Sequence, residues 1–204
     1  SAGRAIPDVE VRIADDGEIL TRGPHVMQGY WKNEAATREI IDEDGWLATG
    51  DLGHLDDDGF LFITGRKKEI IVTAAGKNVA PVLLESLLTE DPLILQAMVI
   101  GDDRKYLSAL IVPDPDKLKA EIKARKIRLF SKKSALTHPK VLALFEERIR
   151  KRLAELSHHE QVRKFTILGR GFTIESGELT PKLSLRRQEI AANLADEIAA
   201  MYAD

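Results

Sequence analysis

Apolar and charged residues alternate in the first third of the chain, and this alternation predicts short β-strands. Residues 9–13 (VEVRI) and 18–21 (EILT) flank a turn and indicate an antiparallel hairpin. Residues 46–55 and 60–63 flank the turn sequence DDDG and predict a second hairpin. Short strands without a long helix favour a small barrel-like or sandwich subdomain over residues 1–64.

The pattern changes after a basic link at residues 65–68 (GRKK). Residues 70–72 predict a short strand, and a helix is expected to begin at Pro81, where the missing N–H of proline is not needed. Residues 139–156 place apolar side chains three and four positions apart, as in an amphipathic helix. The sequence therefore predicts an α+β fold, with a second α+β domain over residues 69–204. The other predicted elements are a helix over 33–41, strands over 97–100 and 109–112, and a last helix with Ile190, Leu194, Ile198 and Met201 on one side.

Composition excludes several classes of site. The chain has 204 residues, of which 44% are hydrophobic and 31% are charged, and it contains no cysteine, so disulfides and thiolate zinc sites are excluded. The net charge of −3 argues against nucleic-acid binding, and we interpret the basic run at 117–133 as a solvated helix face. The chain does not begin with methionine, and we expect it to be a piece of a larger cytoplasmic protein.

Three segments carry a resemblance to a known family. Residues 17–31 read GEILTRGPHVMQGYW, residues 44–53 read DGWLATGDLG, and residues 65–81 read GRKKEIIVTAAGKNVAP, with Glu85 following. In this order and spacing they are similar to the motifs of the adenylate-forming superfamily, which comprises acyl-CoA synthetases, luciferases and nonribosomal-peptide adenylation domains. The third segment, and the GELTP sequence at 177–181, most resemble the long-chain fatty acid–CoA ligases.

The resemblance implies an enzyme that joins a fatty acid to CoA with ATP, through an acyl-adenylate, releasing AMP and pyrophosphate. It implies ATP, CoA and Mg²⁺ as cofactors, and it identifies no Mg²⁺ ligands in this chain. The family's phosphate loop and fatty-acid pocket belong to an upstream region, so we expect this chain alone to be inactive. Peripheral membrane association through the lipid substrate, the acyl chain length and the oligomeric state are left open. Two alternatives also stay open: an adenylate-forming ligase that acts on a carrier protein, and a non-catalytic member with the same fold.

The resemblance assigns roles to residues around the basic link. Asp51 corresponds to a carboxylate that binds both ribose hydroxyls of ATP through charge-assisted hydrogen bonds. Arg66 corresponds to a residue that contacts ribose or phosphate oxygens, for which a fork-shaped cation is suited. Residues 65–68 correspond to a hinge about which the C-terminal domain rotates between two half-reactions, and Lys68 is the expected hinge residue. This predicts three parts: 1–64, the hinge, and a mobile domain from residue 69 onward.

Two further segments are assigned in the same way. The small residues Ala74, Ala75 and Gly76 correspond to a loop that lines the pantetheine tunnel for CoA. Near the C-terminus, the family places an adenylating lysine where this chain has Ser184, in the segment TPKLSLRR at 180–187. On a strand, residues two apart share a face, so Lys182 is our candidate for that cation and Arg186 is its competitor. We expect Lys182 to stabilise charge that develops on the α-phosphate.

Overall fold

The computed structural model describes residues 1–128 and 132–203. The chain divides into two compact units, Ser1–Ile70 and Ile71–Asp204. Residues 129–131 of the basic run at 117–133 lie outside the described ranges. No helix within those ranges is both long enough and apolar enough to cross a bilayer.

The first unit contains the two predicted hairpins. Its strands and helix are β1 (Glu10–Ile13), β2 (Glu18–Arg22), α1 (Glu34–Ile40), β3 (Leu47–Leu55) and β4 (Leu61–Arg66). Each strand pairs antiparallel with the next, in the order β1-β2-β3-β4. All four described strands of this unit belong to one sheet, which confirms its β-rich character and contradicts the sandwich alternative. On the side of β4 away from β3, Gly3 forms an antiparallel bridge with Leu61, so the N-terminal residues extend this sheet.

The second unit confirms the predicted α+β class. It begins with a small hairpin of β5 (Ile71–Val72) and β6 (Asn78–Val79). Its main sheet contains β7 (Ile94–Ile100), β8 (Leu107–Pro113) and β9 (Val162–Ile167). Its helices are α2 (Pro81–Thr89), α3 (Pro115–Ala124), α4 (Lys132–Thr137), α5 (Pro139–Arg152), α6 (Arg187–Asn193) and α7 (Ala195–Tyr202).

The core of the second unit lies on both faces of its main sheet. All seven residues of β8 are buried, because this central strand is covered on both sides. On one face Ala109 and Ile111 belong to a cluster that includes Leu84 of α2 and Phe145 of α5. On the other face the apolar cluster is built from β7, β8 and the last two helices, and its members include Met98, Leu110, Ile190, Ile198 and Met201. The last helices therefore form one wall of the core.

Three details differ from the sequence prediction. The helix expected over 139–156 ends at Arg152, and Gln161 donates its side-chain amide to the carbonyl oxygens of Leu153 and Leu156 beyond that end. The single last helix is two helices that meet at Leu194, whose backbone is not helical. Strand β9 was not predicted; it pairs in parallel with β8, a partner far away in sequence.

Candidate functional site

The TGD sequence of the second motif forms a bulge in β3. Leu20 of β2 pairs with Ala48, but Glu18 pairs with Leu52, so residues 49–51 stand opposite a single residue of β2. Thr49 fixes the bulge by donating its hydroxyl to the carbonyl oxygen of Ile19 at 2.7 Å. Gly50 has a φ of 74°, a conformation that glycine adopts without strain. A bulge of this kind re-aims side chains at a strand, and here it sets the direction of Asp51.

The bulge brings Asp51 against Arg66, the two residues that the resemblance assigned to ATP. They are register partners across β3 and β4, and Nε of Arg66 donates to Oδ1 of Asp51 at 2.8 Å. The side chain of Asp51 is 30% exposed and that of Arg66 is 64% exposed. Within the described residues this bond uses one carboxylate oxygen and one guanidinium nitrogen. Oδ2 of Asp51 and the terminal nitrogens of Arg66 thus keep donor and acceptor capacity for a ligand.

A second set of charges, which sequence reasoning missed, adjoins this pair. Glu18 is 8% exposed and accepts the backbone N–H of Gly50 on Oε1 at 2.8 Å. Its Oε2 lies 2.8 Å from Nζ of Lys67, which also lies 2.6 Å from Oδ2 of Asp16. The hydrogen bond to Asp16, with that to Glu18, raises the pKa of Lys67 above its usual range, and the bond to Lys67 lowers the pKa of Asp16. No local pattern marks Glu18, because a charged residue beside apolar ones is usual in a strand whose side chains alternate between two faces.

The candidate hinge residue lies in a short 3₁₀ turn. Strand β4 ends at Arg66, and Lys67–Glu69 forms the turn before β5 begins at Ile71. Lys68 is exposed, whereas Lys67 beside it is held by Asp16 and Glu18. The two compact units divide directly after this turn, between Ile70 and Ile71.

The loop assigned to pantetheine is the tip of the β5–β6 hairpin. Ala74, Ala75 and Gly76 are exposed, and Gly76 has a φ of 70°. Thr73 supports the tip from below: it is buried, its hydroxyl accepts the N–H of Lys77 at 3.1 Å, and its carbonyl oxygen accepts the N–H of Gly76 at 2.8 Å. The tip therefore presents backbone and methyl groups on a fixed base.

The segment that contains Lys182 is a tight turn, and the strand assumed for it is wrong. The N–H of Leu183 donates to the carbonyl oxygen of Thr180, and the N–H of Thr180 donates to the carbonyl oxygen of Ser184. Pro181 and Lys182 occupy the corner, because proline presets the backbone angle that such a turn requires. Leu183 follows with a φ of 62°.

The premise that Lys182, Ser184 and Arg186 share one strand face is therefore not met. The side chain of Lys182 is exposed at the corner and has no charged or hydrogen-bonded partner among the described residues. Arg186 donates to the carbonyl oxygen of Gly177 at 3.2 Å and lies 3.6 Å from Glu189. Ser184 is exposed, and its backbone N–H donates to the hydroxyl of Thr180.

A buried carboxylate anchors this turn. Glu178 is 0% exposed, and its carboxylate accepts a hydrogen bond from each terminal nitrogen of Arg170, at 2.6 and 2.7 Å. Ser176 and Asn193 of α6 donate to the same carboxylate. The bonds to Arg170 lower the pKa of Glu178 to about 2, from an ordinary value of 4.5. Sequence reasoning quoted Glu178 within GELTP but gave it no role.

The glutamate of the third motif is likewise structural. Glu85 of α2 accepts the backbone N–H of Val99 at 2.7 Å and the guanidinium of Arg187 at 2.6 Å. It thus joins α2, β7 and the start of α6. No group of three or more His, Cys, Asp or Glu side chains in the described part of the chain could hold a metal ion.

The family described as AMP-binding enzyme C-terminal domain matches residues 68–204. The chain belongs to this family. Membership in the AMP-binding enzymes agrees with the motifs of the first unit, which lie N-terminal to the matched range.

Curated relatives of this AMP-binding family member extend over nearly all of the chain. It is 46% identical over 203 residues to the long-chain-fatty-acid–CoA ligase FadD15 of Mycobacterium tuberculosis, covering 99% of this chain and 34% of that protein. It is 37% identical to the rat long-chain-fatty-acid–CoA ligase ACSBG1, covering 99% of this chain and 31% of that protein. The chain therefore spans about a third of the length of these relatives.

Solved structures show the same fold. The adenylation domain of the carboxylate reductase from Mycobacterium chelonae is similar with a TM-score of 0.75 and 25% identity, over 98% of this chain and 32% of that one. The o-succinylbenzoate CoA synthetase MenE of Bacillus subtilis, in complex with AMP, is similar with a TM-score of 0.64 and 26% identity, over 92% of this chain and 34% of that one.

Proposed function

We propose that this chain is the C-terminal part of a long-chain fatty acid–CoA ligase. The enzyme converts a fatty acid and ATP into an acyl-adenylate and pyrophosphate, and the CoA thiol then displaces AMP. The names of FadD15 and ACSBG1 support the fatty acid and CoA as substrates. The observation that carries adenylate formation is the ion pair of Asp51 and Arg66 at the TGD bulge.

Asp51 and Arg66 bind the nucleotide in this proposal. The carboxylate of Asp51 accepts hydrogen bonds from ribose hydroxyls, which are stronger than bonds between neutral groups because the acceptor is charged. Arg66 holds that carboxylate through Nε and directs its terminal nitrogens to ribose or phosphate oxygens. ATP brings Mg²⁺ with it, and we assign no Mg²⁺ ligand to the described residues.

Lys68 is the hinge residue in this proposal, within a boundary of residues 65–68 between a domain over 1–64 and a mobile domain over 69–204. Hinges absorb a large change of backbone angles at a few positions between packed elements. Its exposed position in the 3₁₀ turn, directly before the division at Ile70, supports this role.

Ala74, Ala75 and Gly76 line the path of the pantetheine arm. Their small side chains at an exposed hairpin tip allow a thin thiol arm to pass close to the backbone. The rigid base formed by Thr73 supports this assignment, because a mobile tip would not hold a fixed path.

Lys182 supplies the adenylating cation, and the turn geometry supports it over Arg186. Lys182 stands exposed at a turn corner, whereas Arg186 is engaged by Gly177 and Glu189. A cation aimed at charge that develops in the transition state contributes several kcal/mol, while the neutral hydroxyl of Ser184 contributes less.

The test uses the full-length protein that contains this chain. We expect pyrophosphate release and acyl-CoA formation with ATP, Mg²⁺, CoA and fatty acids of long chain length, assayed across a chain-length series. The isolated chain should release no pyrophosphate with palmitate, because the relatives are about three times its length. Acyl transfer only to a carrier-protein phosphopantetheine would favour the carrier-protein alternative, and absence of adenylation by the full-length protein would favour a non-catalytic member.

The setting in which the enzyme meets its fatty acid needs a separate test. We propose a cytoplasmic enzyme that meets its fatty acid in solution or at a membrane surface. Sedimentation of the full-length protein with phospholipid vesicles, with and without palmitate, distinguishes these two settings.

A further inference from the structure

The buried carboxylate of Glu18 bonds to Gly50 of β3 and to Lys67, the first residue after β4. We infer that Glu18 is a positioning residue that sets the geometry of Asp51 and Arg66. This inference rests on the proposed function, in which that pair binds ATP. Glu18 itself does not touch the nucleotide in this inference.

The first half of the argument concerns Asp51. Oε1 of Glu18 accepts the N–H of Gly50, the residue directly before Asp51, at 2.8 Å. Gly50 is conformationally free, and a Cβ added to it would meet nothing within 4 Å, so packing does not hold it in place. Hydrogen bonds hold the bulge instead: Glu18 accepts from Gly50, and the hydroxyl of Thr49 donates to Ile19 and accepts the N–H of Asp51 at 3.1 Å.

The second half concerns Arg66. Oε2 of Glu18 bonds Nζ of Lys67, the residue directly after Arg66, at 2.8 Å. Lys67 is bonded to Asp16 as well, so the end of β4 is tied to the turn between β1 and β2. One carboxylate thus holds the chain neighbours of both Asp51 and Arg66, and it does so from a third strand.

Burial explains why this carboxylate keeps its position. The side chain of Glu18 is 10% exposed, and a buried carboxylate is stable only when hydrogen bonds and an opposite charge satisfy it. The amide of Gly50 satisfies one oxygen and Lys67 the other. Loss of the bond to Gly50 or of the bond to Lys67 would therefore also disturb the other bond of Glu18.

Steady-state kinetics of the full-length protein tests the inference. Glu18→Gln keeps the shape and an acceptor for Gly50, but it turns an amide N–H₂ or a neutral oxygen toward the ammonium of Lys67. We expect the KM for ATP to rise about tenfold, the effect of one charge-assisted bond, while the KM values for fatty acid and CoA stay unchanged. A purely structural role would instead lower the active fraction, which reduces kcat and leaves every KM unchanged.

A double-mutant cycle shows whether Glu18 acts through Asp51. In an Asp51→Ala background, Glu18→Gln should raise the KM for ATP by a smaller factor than it does alone, because only its effect through Arg66 remains. Additive effects would overturn the inference, and so would an unchanged KM for ATP in the single variant. If Asp51→Ala itself leaves the KM for ATP unchanged, the proposed nucleotide site fails, which is a different result.

Two further variants keep the test decisive if Glu18→Gln does not fold. Lys67→Met should reproduce the rise in the KM for ATP, and Lys67→Arg should restore most of it because a cation returns to the same carboxylates. Equal KM values in Lys67→Met and the unchanged protein would also overturn the inference. Glu10→Gln is the matched control: Glu10 pairs with Arg22 across β1 and β2, away from the bulge, and its loss should leave the KM for ATP unchanged.

Discussion

Arg66 donates from Nε to Oδ1 of Asp51 at 2.8 Å, across two strands on which the residues are direct register partners. The pair depends on both strands at once. The bulge in β3 aims Asp51, and the end of β4 presents Arg66. The side chain of Asp51 is 30% exposed and that of Arg66 is 64% exposed, so this ion pair contributes little to the free energy of unfolding.

Asp51→Ala in the full-length protein should weaken ATP binding far more than fatty-acid binding. The substitution removes a charged acceptor, a loss of about 1.5–3 kcal/mol, or roughly tenfold to a hundredfold in affinity. Isothermal titration with ATP and with palmitate measures both. Asp58→Ala, which removes an exposed carboxylate from the turn after β3, is the control. Equal ATP affinity in both variants would leave Asp51 a structural residue of the β3 bulge only.

Lys68→Pro should impair thioester formation and spare adenylation. Proline fixes φ at residue 68 and restricts residue 67 before it, so the turn loses the freedom that a hinge needs. Pyrophosphate release measures the first half-reaction, and transfer from a supplied acyl-adenylate to CoA measures the second. Lys68→Ala removes the charge without fixing the backbone and should retain both. Equal losses in the two half-reactions would contradict a hinge at Lys68.

Glu178 should make the stability of the second unit depend on acidic pH. Its pKa in the folded chain is about 2, below the ordinary 4.5, so its contribution is complete above pH 4.5 and is lost as the pH falls toward 2. At pH 3.5 roughly 1 kcal/mol of that contribution has gone. The free energy of unfolding, measured with urea at pH 6 and pH 3.5, should therefore change less with pH in Glu178→Gln than in the unchanged chain.

Glu175→Gln is the control for that measurement. Glu175 is an exposed carboxylate three residues earlier in the same loop. The Glu175→Gln variant should retain the pH dependence of stability that the unchanged chain shows. An identical pH effect in Glu178→Gln would show that Arg170 does not hold the carboxylate ionised.

Lys182→Ala should slow acyl-adenylate formation by a factor on the order of a hundred to a thousand. The same variant should still transfer acyl from a supplied adenylate to CoA, because the proposed hinge motion moves this turn away before that step. Rapid-quench kinetics of the full-length protein separates the two steps. If Arg186→Ala slows adenylation and Lys182→Ala does not, the cation is Arg186. If neither variant slows adenylation, the cation lies elsewhere in the protein.

Local patterns in the sequence determined the hairpins, the helix that begins at Pro81 and the motifs of the family. Alternation over residues 9–13 and 18–21 was enough for β1 and β2, since neighbouring strands joined by a short turn pair without long-range contacts. The register partnership of Asp51 and Arg66 also lies within one hairpin. Asp51 and Arg66 themselves were named from the family motifs, before their pairing was known.

Tertiary structure decided what depends on distant partners. β9 pairs in parallel with β8, about fifty residues earlier, and the short alternation at 164–167 does not by itself indicate so distant a partner. Glu18 reads as an ordinary strand residue until Lys67 and Gly50 supply its partners. Lys182 reads as a strand residue until the bonds between Thr180 and Ser184 place it at a corner. A sequence pattern indicates which side chains are apolar. The burial of a charge and the closure of a turn depend on hydrogen-bond partners that only the tertiary structure brings together.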